Sequence, residues 1–217
     1  MTILQSLCHF LNPELCLHCK ELLPLKIRYL CFRCELNLGY FYHLDAIHEQ
    51  TNLELNCLFE YTPNSPIQSL IKSMKYKNLP EVGAYLIAKS YHRLPVIQKL
   101  DLVVPIPIHA SKRKKRKGNQ LDAMGIYLAT FYGAKYTDYI LLKSKKSISQ
   151  SEKSKKNRAV TRDYGFYLKQ MEQIKDKTIL LIDDIVTTGG TLKEAIKILQ
   201  EGKPKKTHII CIASGSD

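Results

Sequence analysis

Two adjacent aspartates and a glycine turn form the part of this sequence best suited to chemistry. Residues 180–192 read LLIDDIVTTGGTL, so Asp183 and Asp184 follow a short apolar run. Burying two neighbouring carboxylates is opposed by their desolvation and by their mutual repulsion. Such a pair is therefore more typical of a functional site than of a structural turn. The threonines and glycines that follow predict a turn into a helix.

This arrangement suits an anion that lies next to hydroxyl groups or a metal ion. The first N–H groups of a helix can bind an anion, and the helix dipole favours negative charge at that end. Glycines allow the backbone to approach closely, and threonine hydroxyls add donors. The candidate phosphate-binding residues are Thr187, Thr188, Gly189, Gly190 and Thr191. The turn is neither a Walker P-loop nor a G-x-G-x-x-G fingerprint, since the chain contains neither motif.

Strands and helices must alternate along the chain to position these residues. Apolar runs predict strands over 55–61, 102–108, 139–142, 164–168, 178–183 and 207–214. Amphipathic patterns predict helices over 66–77, 81–94, 120–132 and 191–200. This alternation predicts an α/β fold with a parallel sheet, in which ligands bind beyond the carboxyl ends of the strands. The two aspartates would then end a central strand and face the ligand crevice.

Four cysteines near the start of the chain have the spacing of a structural zinc site. Cys16 and Cys19 form one C-x2-C pair, and Cys31 and Cys34 form a second. Four thiolates complete a tetrahedron and leave no open position for water. So short a segment cannot bury much apolar surface, and we expect bound Zn²⁺ to supply its folding energy. We expect a zinc-binding module over 1–45 and an α/β domain over 46–217.

Positive charge is concentrated in two short stretches. The chain has a formal net charge of +13, and residues 112–117 and 143–162 together account for all of it. Neither stretch has hydrophobic periodicity, so we expect both to be loops. Because both follow predicted strands, they would converge at the acidic edge of the sheet and suit a polyphosphate or a nucleic-acid backbone. The candidate contacts are Lys112, Arg113, Lys114, Lys115, Arg116, Lys117, Lys153, Lys155, Lys156 and Arg158.

The sequence also favours a cytoplasmic location. No apolar stretch approaches the roughly 20 residues of a membrane span. The first residues lack both the basic region and the small-residue cleavage site of a secretion signal.

Two motifs resemble known families. Residues 180–192 are similar to the phosphoribosyl-pyrophosphate (PRPP) motif of type I phosphoribosyltransferases, with its hydrophobic strand, two acids and threonine–glycine loop. Residues 101–120, which contain VPIPIH and end in RKGNQ, resemble the signature of ComF-type competence proteins. The cysteine pairs and KSMKYK at 72–77 match further parts of that family. Two departures are Lys117-Gly118, where the family has Gly-Phe, and TRDYGF at 161–166, which lacks the family's asparagine.

The resemblance implies a type I phosphoribosyltransferase fold behind a four-cysteine zinc module. It implies that the 5′-phosphate of PRPP binds the Thr187–Thr191 backbone. Asp183 and Asp184 would bind the ribose hydroxyls and, through water, Mg²⁺. The residues expected to face the pyrophosphate are Ile108, His109 and Ser111. Residues 143–162 correspond to a flexible loop that closes over the site in related transferases.

The resemblance also implies a function and leaves two alternatives. The leading interpretation is a competence protein that binds PRPP and Mg²⁺ and handles incoming single-stranded DNA in natural transformation, together with other DNA-uptake proteins. The alternatives are an active phosphoribosyltransferase of nucleotide metabolism and a PRPP-sensing regulator that binds RNA. Thr187 stands where 6-oxopurine salvage enzymes have an aspartate, and a threonine cannot act as a general base near neutral pH. We do not expect that reaction, and the sequence names no other catalytic residue.

Overall fold

Five parallel strands form the main sheet. The computed structural model describes residues 13–41, 53–116, 118–143 and 165–215. The strands are β1 (Leu53–Glu60), β2 (Leu102–Pro105), β3 (Lys135–Tyr136), β4 (Leu141–Lys143), β5 (Phe166–Leu168), β6 (Thr178–Val186) and β7 (Lys206–Ser214). The main sheet has the order β1-β7-β6-β2-β3, and every neighbouring pair is parallel. The predicted parallel α/β architecture is confirmed.

Six α-helices connect or flank these strands in the described part of the chain. They are α1 (Phe32–Leu36), α2 (Pro66–Tyr76), α3 (Glu81–Lys89), α4 (Ala110–Arg116), α5 (Asp122–Tyr132) and α6 (Gly190–Glu201). Helix α2 begins where the sequence predicts, because Ser65 accepts a hydrogen bond from the N–H of Gln68 and Pro66 occupies the first helical position. Helix α5 packs closely on β3, since a Cβ on Gly125 would come within 2.3 Å of the Tyr136 ring.

The core lies around the two central strands. Ile179–Ile182 on β6 and Ile209–Ala213 on β7 are buried along their whole length. Strands buried on both faces need apolar side chains at successive positions, which explains the unbroken apolar runs in the sequence. The first polar residues after the β6 run are Asp183 and Asp184, and the strand continues past them to the buried Val186, beyond the predicted end at residue 183.

Strands β4 and β5 do not belong to the main sheet. They pair with each other in an antiparallel ladder, with Leu141 opposite Leu168. The sequence predicted both segments as strands but assigned them to the parallel sheet, and that assignment is wrong. A run of three or four apolar residues indicates a strand without identifying its partner. The second basic stretch therefore begins at the end of a strand that lies outside the main sheet.

Two predicted elements end earlier than expected. Strand β2 ends at Pro105, because Pro107 lacks the N–H that a continuing ladder needs. Helix α3 ends at Lys89 and is followed by a 3₁₀ turn over Tyr91–Arg93. The hydroxyl of Ser90 donates to the carbonyl of Leu86 at 2.9 Å at this helix end.

The first basic stretch is a helix, and the prediction of a loop is wrong there. Residues 112–116 belong to α4, which contains no buried residue. A helix that buries nothing needs no apolar stripe, so hydrophobic periodicity could not reveal it. Lysine and arginine have high helix propensity, and this accounts for helix formation in so basic a segment.

The cysteine-containing segment packs against helices α2 and α3. The Nδ1 atom of His18 lies 3.0 Å from the hydroxyl of Ser69 on α2. The carboxylate of Glu35 on α1 accepts hydrogen bonds from Tyr85 at 2.9 Å and from Lys89 at 2.6 Å, both on α3. The division into domains 1–45 and 46–217 stays a prediction, because residues 42–52 lie outside the described residues.

Candidate functional site

Asp184 is a buried carboxylate held by two partners. Its exposed fraction is 5%, and its side chain lies at the carboxyl end of β6. Lys75 on α2 places its Nζ 2.8 Å from Oδ1 of Asp184. The side-chain amide of Gln120 donates to Oδ2 at 2.6 Å. A buried charge needs such partners, since an unpaired carboxylate would carry a large desolvation cost.

Asp183 has a different environment from its neighbour. It is half-buried, and its Oδ1 accepts a hydrogen bond from the backbone N–H of Asp184 at 2.8 Å. Burial and the charge of Asp184 raise the pKa of Asp183 to about 7, although the backbone hydrogen bond and the charges of Lys75 and Lys143 oppose this shift. Near neutral pH this side chain can therefore exist with or without its proton.

The threonine–glycine turn connects β6 to α6. Gly189 is the N-cap of α6 and has a φ of 72°, a left-handed conformation that favours glycine. Thr187, Thr188 and Gly190 are exposed, so the turn is accessible. Helix α6 begins at Gly190, and the first N–H groups of a helix have no partner within it. The turn into a helix that the sequence predicted is present, and its use as an anion site stays a prediction.

A cavity of about 310 Å³ lies at the carboxyl edge of the sheet and contains both aspartates. Seven residues predicted from the sequence line it: Ile108, His109, Lys112, Arg116, Asp183, Asp184 and Thr191. Ser111 does not line it but contacts His109, with 2.7 Å between the Ser111 hydroxyl and Nδ1. The backbone N–H of Ser111 also donates to Nδ1 at 3.3 Å, which leaves Nε2 as the donor of the neutral ring.

Four polar residues of the cavity were absent from the predicted site. They are Lys75 and Tyr76 on α2, Gln120 before α5, and Lys143 at the end of β4. Lys75 and Tyr76 lie in the KSMKYK segment and Gln120 in the RKGNQ segment, so the sequence signals were present without an assigned role. Lys143 is the first residue of the second basic stretch and also lies 5.0 Å from the Phe166 ring centre.

The basic side chains of helix α4 have three different environments. Lys112 and Arg116, one turn apart, line the cavity. Arg113 forms an ion pair with Asp138. Lys114 and Lys115 are exposed and do not line the cavity. The remaining predicted basic contacts, Lys117, Lys153, Lys155, Lys156 and Arg158, lie outside the described residues.

The four cysteines of the predicted zinc site come together. Their Sγ atoms all lie within 4.8 Å of one another, and the Sγ atoms of Cys19 and Cys31 are 3.6 Å apart. Tetrahedral Zn²⁺ with Zn–S bonds of about 2.3 Å requires S–S distances of about 3.8 Å. Cys16, Cys31 and Cys34 are buried and Cys19 is exposed. This group could hold a metal such as zinc.

The cysteine thiols also differ in acidity. Burial raises the pKa of Cys16, but backbone N–H groups of Cys31, Cys19 and His18 outweigh this and lower it to about 6. Burial and the neighbouring sulfur atoms raise the pKa of Cys34. The segment thus already directs N–H donors at one sulfur, as a thiolate ligand requires.

Comparison with known families identifies the fold. The family model described as the phosphoribosyl transferase domain matches residues 81–217, which include the acid pair and the turn. The chain belongs to this family. The predicted resemblance to type I phosphoribosyltransferases is therefore confirmed at the level of family and fold.

Two individual relatives match a larger share of the chain than the family model does. The chain is 23% identical over 208 residues to Competence protein F of Haemophilus influenzae, covering 86% of this chain and 90% of that protein. It is 23% identical over 159 residues to the DNA utilization protein YhgH of Salmonella typhimurium, covering 70% and 68%. These relatives confirm the predicted resemblance to ComF-type proteins.

A solved structure of the allosteric regulatory enzyme of purine biosynthesis is also similar, with a TM-score of 0.43 at 13% identity, over 65% of this chain and 30% of that one.

Among the described residues, no helix combines the length and apolar character that a membrane span requires. A cytoplasmic location stays a prediction.

Proposed function

We propose that this chain is a ComF-type competence protein that binds PRPP with Mg²⁺ and handles incoming single-stranded DNA during natural transformation. The observation that carries the proposal is the cavity of about 310 Å³, where an acid pair, four cations and the start of a helix meet. The similarity to Competence protein F and to a DNA utilization protein supports a role in DNA uptake.

Each part of PRPP has a chemically matched partner in the cavity or at the turn beside it. The turn at Thr187–Thr191, of which Thr191 lines the cavity, offers N–H and hydroxyl donors to the 5′-phosphate. The half-buried Asp183 can accept hydrogen bonds from ribose hydroxyls and hold hydrated Mg²⁺, and the buried Asp184, which pairs with Lys75 and Gln120, adds negative charge beside it. The cations Lys112 and Arg116, with His109, suit the pyrophosphate. Bound Mg²⁺ would neutralise phosphate charge.

Lys114 and Lys115 on α4 are proposed to form part of the DNA-binding surface. Lys114 and Lys115 are exposed and lie outside the cavity lining, so they remain available when the cavity is filled. Their contacts would be made to phosphates and would tolerate any sequence. The basic residues of the 143–162 stretch are proposed to extend this surface.

We further propose that Cys16, Cys19, Cys31 and Cys34 bind one structural Zn²⁺. The distances between their sulfur atoms fit a tetrahedral site, and four thiolates leave no position for a reacting water. The metal would then stabilise the segment that contacts α2 and α3 without taking part in chemistry at the cavity.

Isothermal titration with PRPP in the presence of Mg²⁺ tests the ligand. We expect the wild-type protein to bind and Asp183→Asn to weaken binding by about 100-fold, because the amide cannot replace the carboxylate toward hydroxyls and Mg²⁺. Asp176→Asn, an equivalent change in a turn away from the cavity, should leave binding unchanged. Equal PRPP affinity of Asp183→Asn and wild type would refute the proposed site.

An active phosphoribosyltransferase is the second candidate, and the family match over residues 81–217 favours it. It would release pyrophosphate from PRPP when the correct acceptor is supplied. Thr187 is exposed and offers no general base at neutral pH, so another group or the acceptor itself would have to lose the proton. Pyrophosphate release measured over a panel of nucleobases separates this candidate from a protein that only binds PRPP.

A further inference from the structure

A second cavity, of about 270 Å³, lies between the turn that joins α2 to α3 and the segment that joins α4 to α5. Arg116 and Gln120 line both cavities, so the second one adjoins the proposed PRPP site. Its other lining residues belong to a different set of side chains, which includes Met74, Asn78, Pro80, Gly118, Asp122 and Ile126. The second cavity is therefore a separate space whose chemistry the proposed function does not use.

The walls of the second cavity suit a flat aromatic ring. Met74, Pro80 and Ile126 supply an apolar surface. The guanidinium of Arg116 lies over the ring of Tyr76, with 5.9 Å between its Cζ and the ring centre, which restricts its orientation. A guanidinium plane can stack on a nucleobase. Pockets for drug-sized ligands begin at about 300 Å³, so this smaller space suits a single base.

The carboxylate of Asp122 supplies hydrogen-bond acceptors to the second cavity. Its Oδ1 accepts the hydroxyl of Tyr136 at 2.5 Å, and its Oδ2 accepts the backbone N–H of Asn119 at 2.9 Å. These two bonds fix the carboxylate, and each oxygen has a second lone pair for a further donor. The side-chain amide of the exposed Asn78 adds a donor and an acceptor. A fixed carboxylate can accept the amino group of cytosine, which is one way in which proteins distinguish bases.

Helix α4 places positive charge beside the second cavity. Lys114 and Lys115 are exposed, and Arg116, which follows them directly, lines the cavity. Each base of a single strand is attached next to a phosphate. A strand whose phosphates contact these two lysines can therefore direct a base into the cavity.

An apolar groove along α5 continues from the second cavity. Ala123 and Ile126 line both spaces, and the groove also contains the rings of Tyr127 and Phe131. Phe131 is 50% exposed. Exposed aromatic rings provide stacking for further bases of a single strand. The surface thus offers phosphate contacts on α4, space for one enclosed base, and stacking along α5.

We propose that the second cavity binds one nucleobase of single-stranded DNA and prefers a base that carries an amino group. This inference rests on the DNA-binding part of the proposed function and adds to it a site outside the PRPP cavity. Cytosine would place its amino group against Asp122 and its ring between Arg116 and the apolar surface. Thymine has a ring of the same size but presents a carbonyl oxygen at that position, which a carboxylate repels.

Fluorescence anisotropy with labelled oligonucleotides of about 12 nucleotides tests the site. Oligo(dC) and oligo(dT) match in backbone charge and ring size, so the ratio of their affinities isolates base recognition. We expect the wild-type protein to bind oligo(dC) about tenfold more tightly at a fixed salt concentration. Ala123→Leu fills the cavity and should bring the two affinities to within about twofold of each other. Its PRPP affinity should stay unchanged, because Ala123 does not line the PRPP cavity, and thermal unfolding verifies that it folds.

Further variants test the polar groups. Asp122→Asn should abolish the preference, because an amide can accept from cytosine or donate to thymine. Asn78 has a φ of 55°, which glycine adopts freely, so Asn78→Gly removes the amide without strain and should reduce the preference by about threefold. The matched controls are Asn64→Gly, at a φ of 56° and outside the cavity lining, and Ala88→Leu, exposed on α3. Both controls should keep the wild-type ratio.

The outcomes separate the base site from the proposed function. Failure of the wild-type protein to bind either oligonucleotide overturns the base site together with the DNA-binding part of the proposed function. Equal affinities of the wild type for the two oligonucleotides, or an unchanged ratio in Ala123→Leu, overturn the base site alone. Free deoxycytidine distinguishes the source of the base, and we expect it to bind at least about 100-fold more weakly than oligo(dC), since it lacks the phosphate contacts. Deoxycytidine binding as tight as that of oligo(dC) would assign the cavity to a free nucleoside and overturn the inference.

Discussion

The cysteine cluster and the cavity with the two aspartates each bring together side chains of one chemical type. The residues around them differ. Four sulfur atoms lie within 4.8 Å of one another, and three of the four cysteines are buried. The two aspartates are surrounded by Lys75, Lys112, Arg116 and Lys143 at an open cavity. The first arrangement has its full set of ligands within the chain, which suits a permanent metal. The second has a surplus of cations, which suits an exchangeable anion.

Helix α2 connects the two regions. Its Ser69 contacts His18 beside the cysteine cluster, and its Lys75 contacts Asp184 in the cavity. The cluster thus supports a helix that carries part of the binding site.

Loss of a cysteine ligand should have the largest effect. Cys34→Ser should release the metal and unfold the cysteine segment, because structural zinc can contribute about 10 kcal/mol to the folding of such a unit. Limited proteolysis should then cut within residues 13–41, and metal analysis should fall from about one zinc per chain to none. Cys57→Ala, on β1 and outside the cluster, should keep the metal. Retained zinc in Cys34→Ser would contradict the assignment of four ligands.

Two pairs of basic residues on α4, one lining the cavity and one outside its lining, should separate PRPP binding from DNA binding. Replacing Lys112 and Arg116 with glutamine should weaken PRPP by about tenfold or more, because both line the cavity. Replacing Lys114 and Lys115 instead should leave PRPP binding unchanged and weaken single-stranded DNA. The slope of log K against log salt should become shallower by about 0.7 for each phosphate that the variant no longer neutralises. Identical effects of the two double variants on both ligands would show that α4 has no such division.

Asp183 should make stability depend on pH. Its pKa is about 7 in the folded protein and about 3.9 in an unfolded chain. Between these values the folded state binds more protons, so the free energy of unfolding falls as pH rises from about 4 to about 7. Asp183→Asn should therefore unfold a few degrees above wild type at pH 8 in Mg²⁺-free buffer, and at the same temperature at pH 4. Equal melting temperatures at pH 8 would contradict the raised pKa.

The smallest effect is expected where the cysteine segment meets α2. His18→Ala removes the interaction of Nδ1 with Ser69 and should cost about 1 kcal/mol in the free energy of unfolding. Zinc content should stay at about one per chain, because His18 is not among the clustered ligands. Loss of zinc in His18→Ala, measured by metal analysis, would show that zinc binding by the four cysteines also depends on His18.

Sequence patterns predicted the main sheet well, because its signal is local. The unbroken apolar runs of β6 and β7 follow from burial on both faces, and the acids after Ile182 mark where the apolar run is interrupted. The four cysteines were predictable for a similar reason, since zinc ligation imposes a fixed spacing. Helix α4 was missed because it buries nothing, and the partner of β4 was missed because pairing depends on distant segments.

The composition of the cavity was only partly predictable. Lys75 and Asp184 are far apart in the chain and meet only through the packing of α2 against the sheet edge. Gln120 is a neutral residue whose role depends on standing between Arg116 and Asp184. Local sequence shows neither relation, since both are products of tertiary structure.

A crystal structure of the protein grown with PRPP and Mg²⁺ tests the central claim most directly. The account predicts the 5′-phosphate against the backbone of Thr188–Thr191, the ribose hydroxyls at Asp183, and the diphosphate within hydrogen-bonding distance of Lys75 and Arg116. An empty cavity at saturating PRPP, or PRPP bound away from the acid pair, would contradict it.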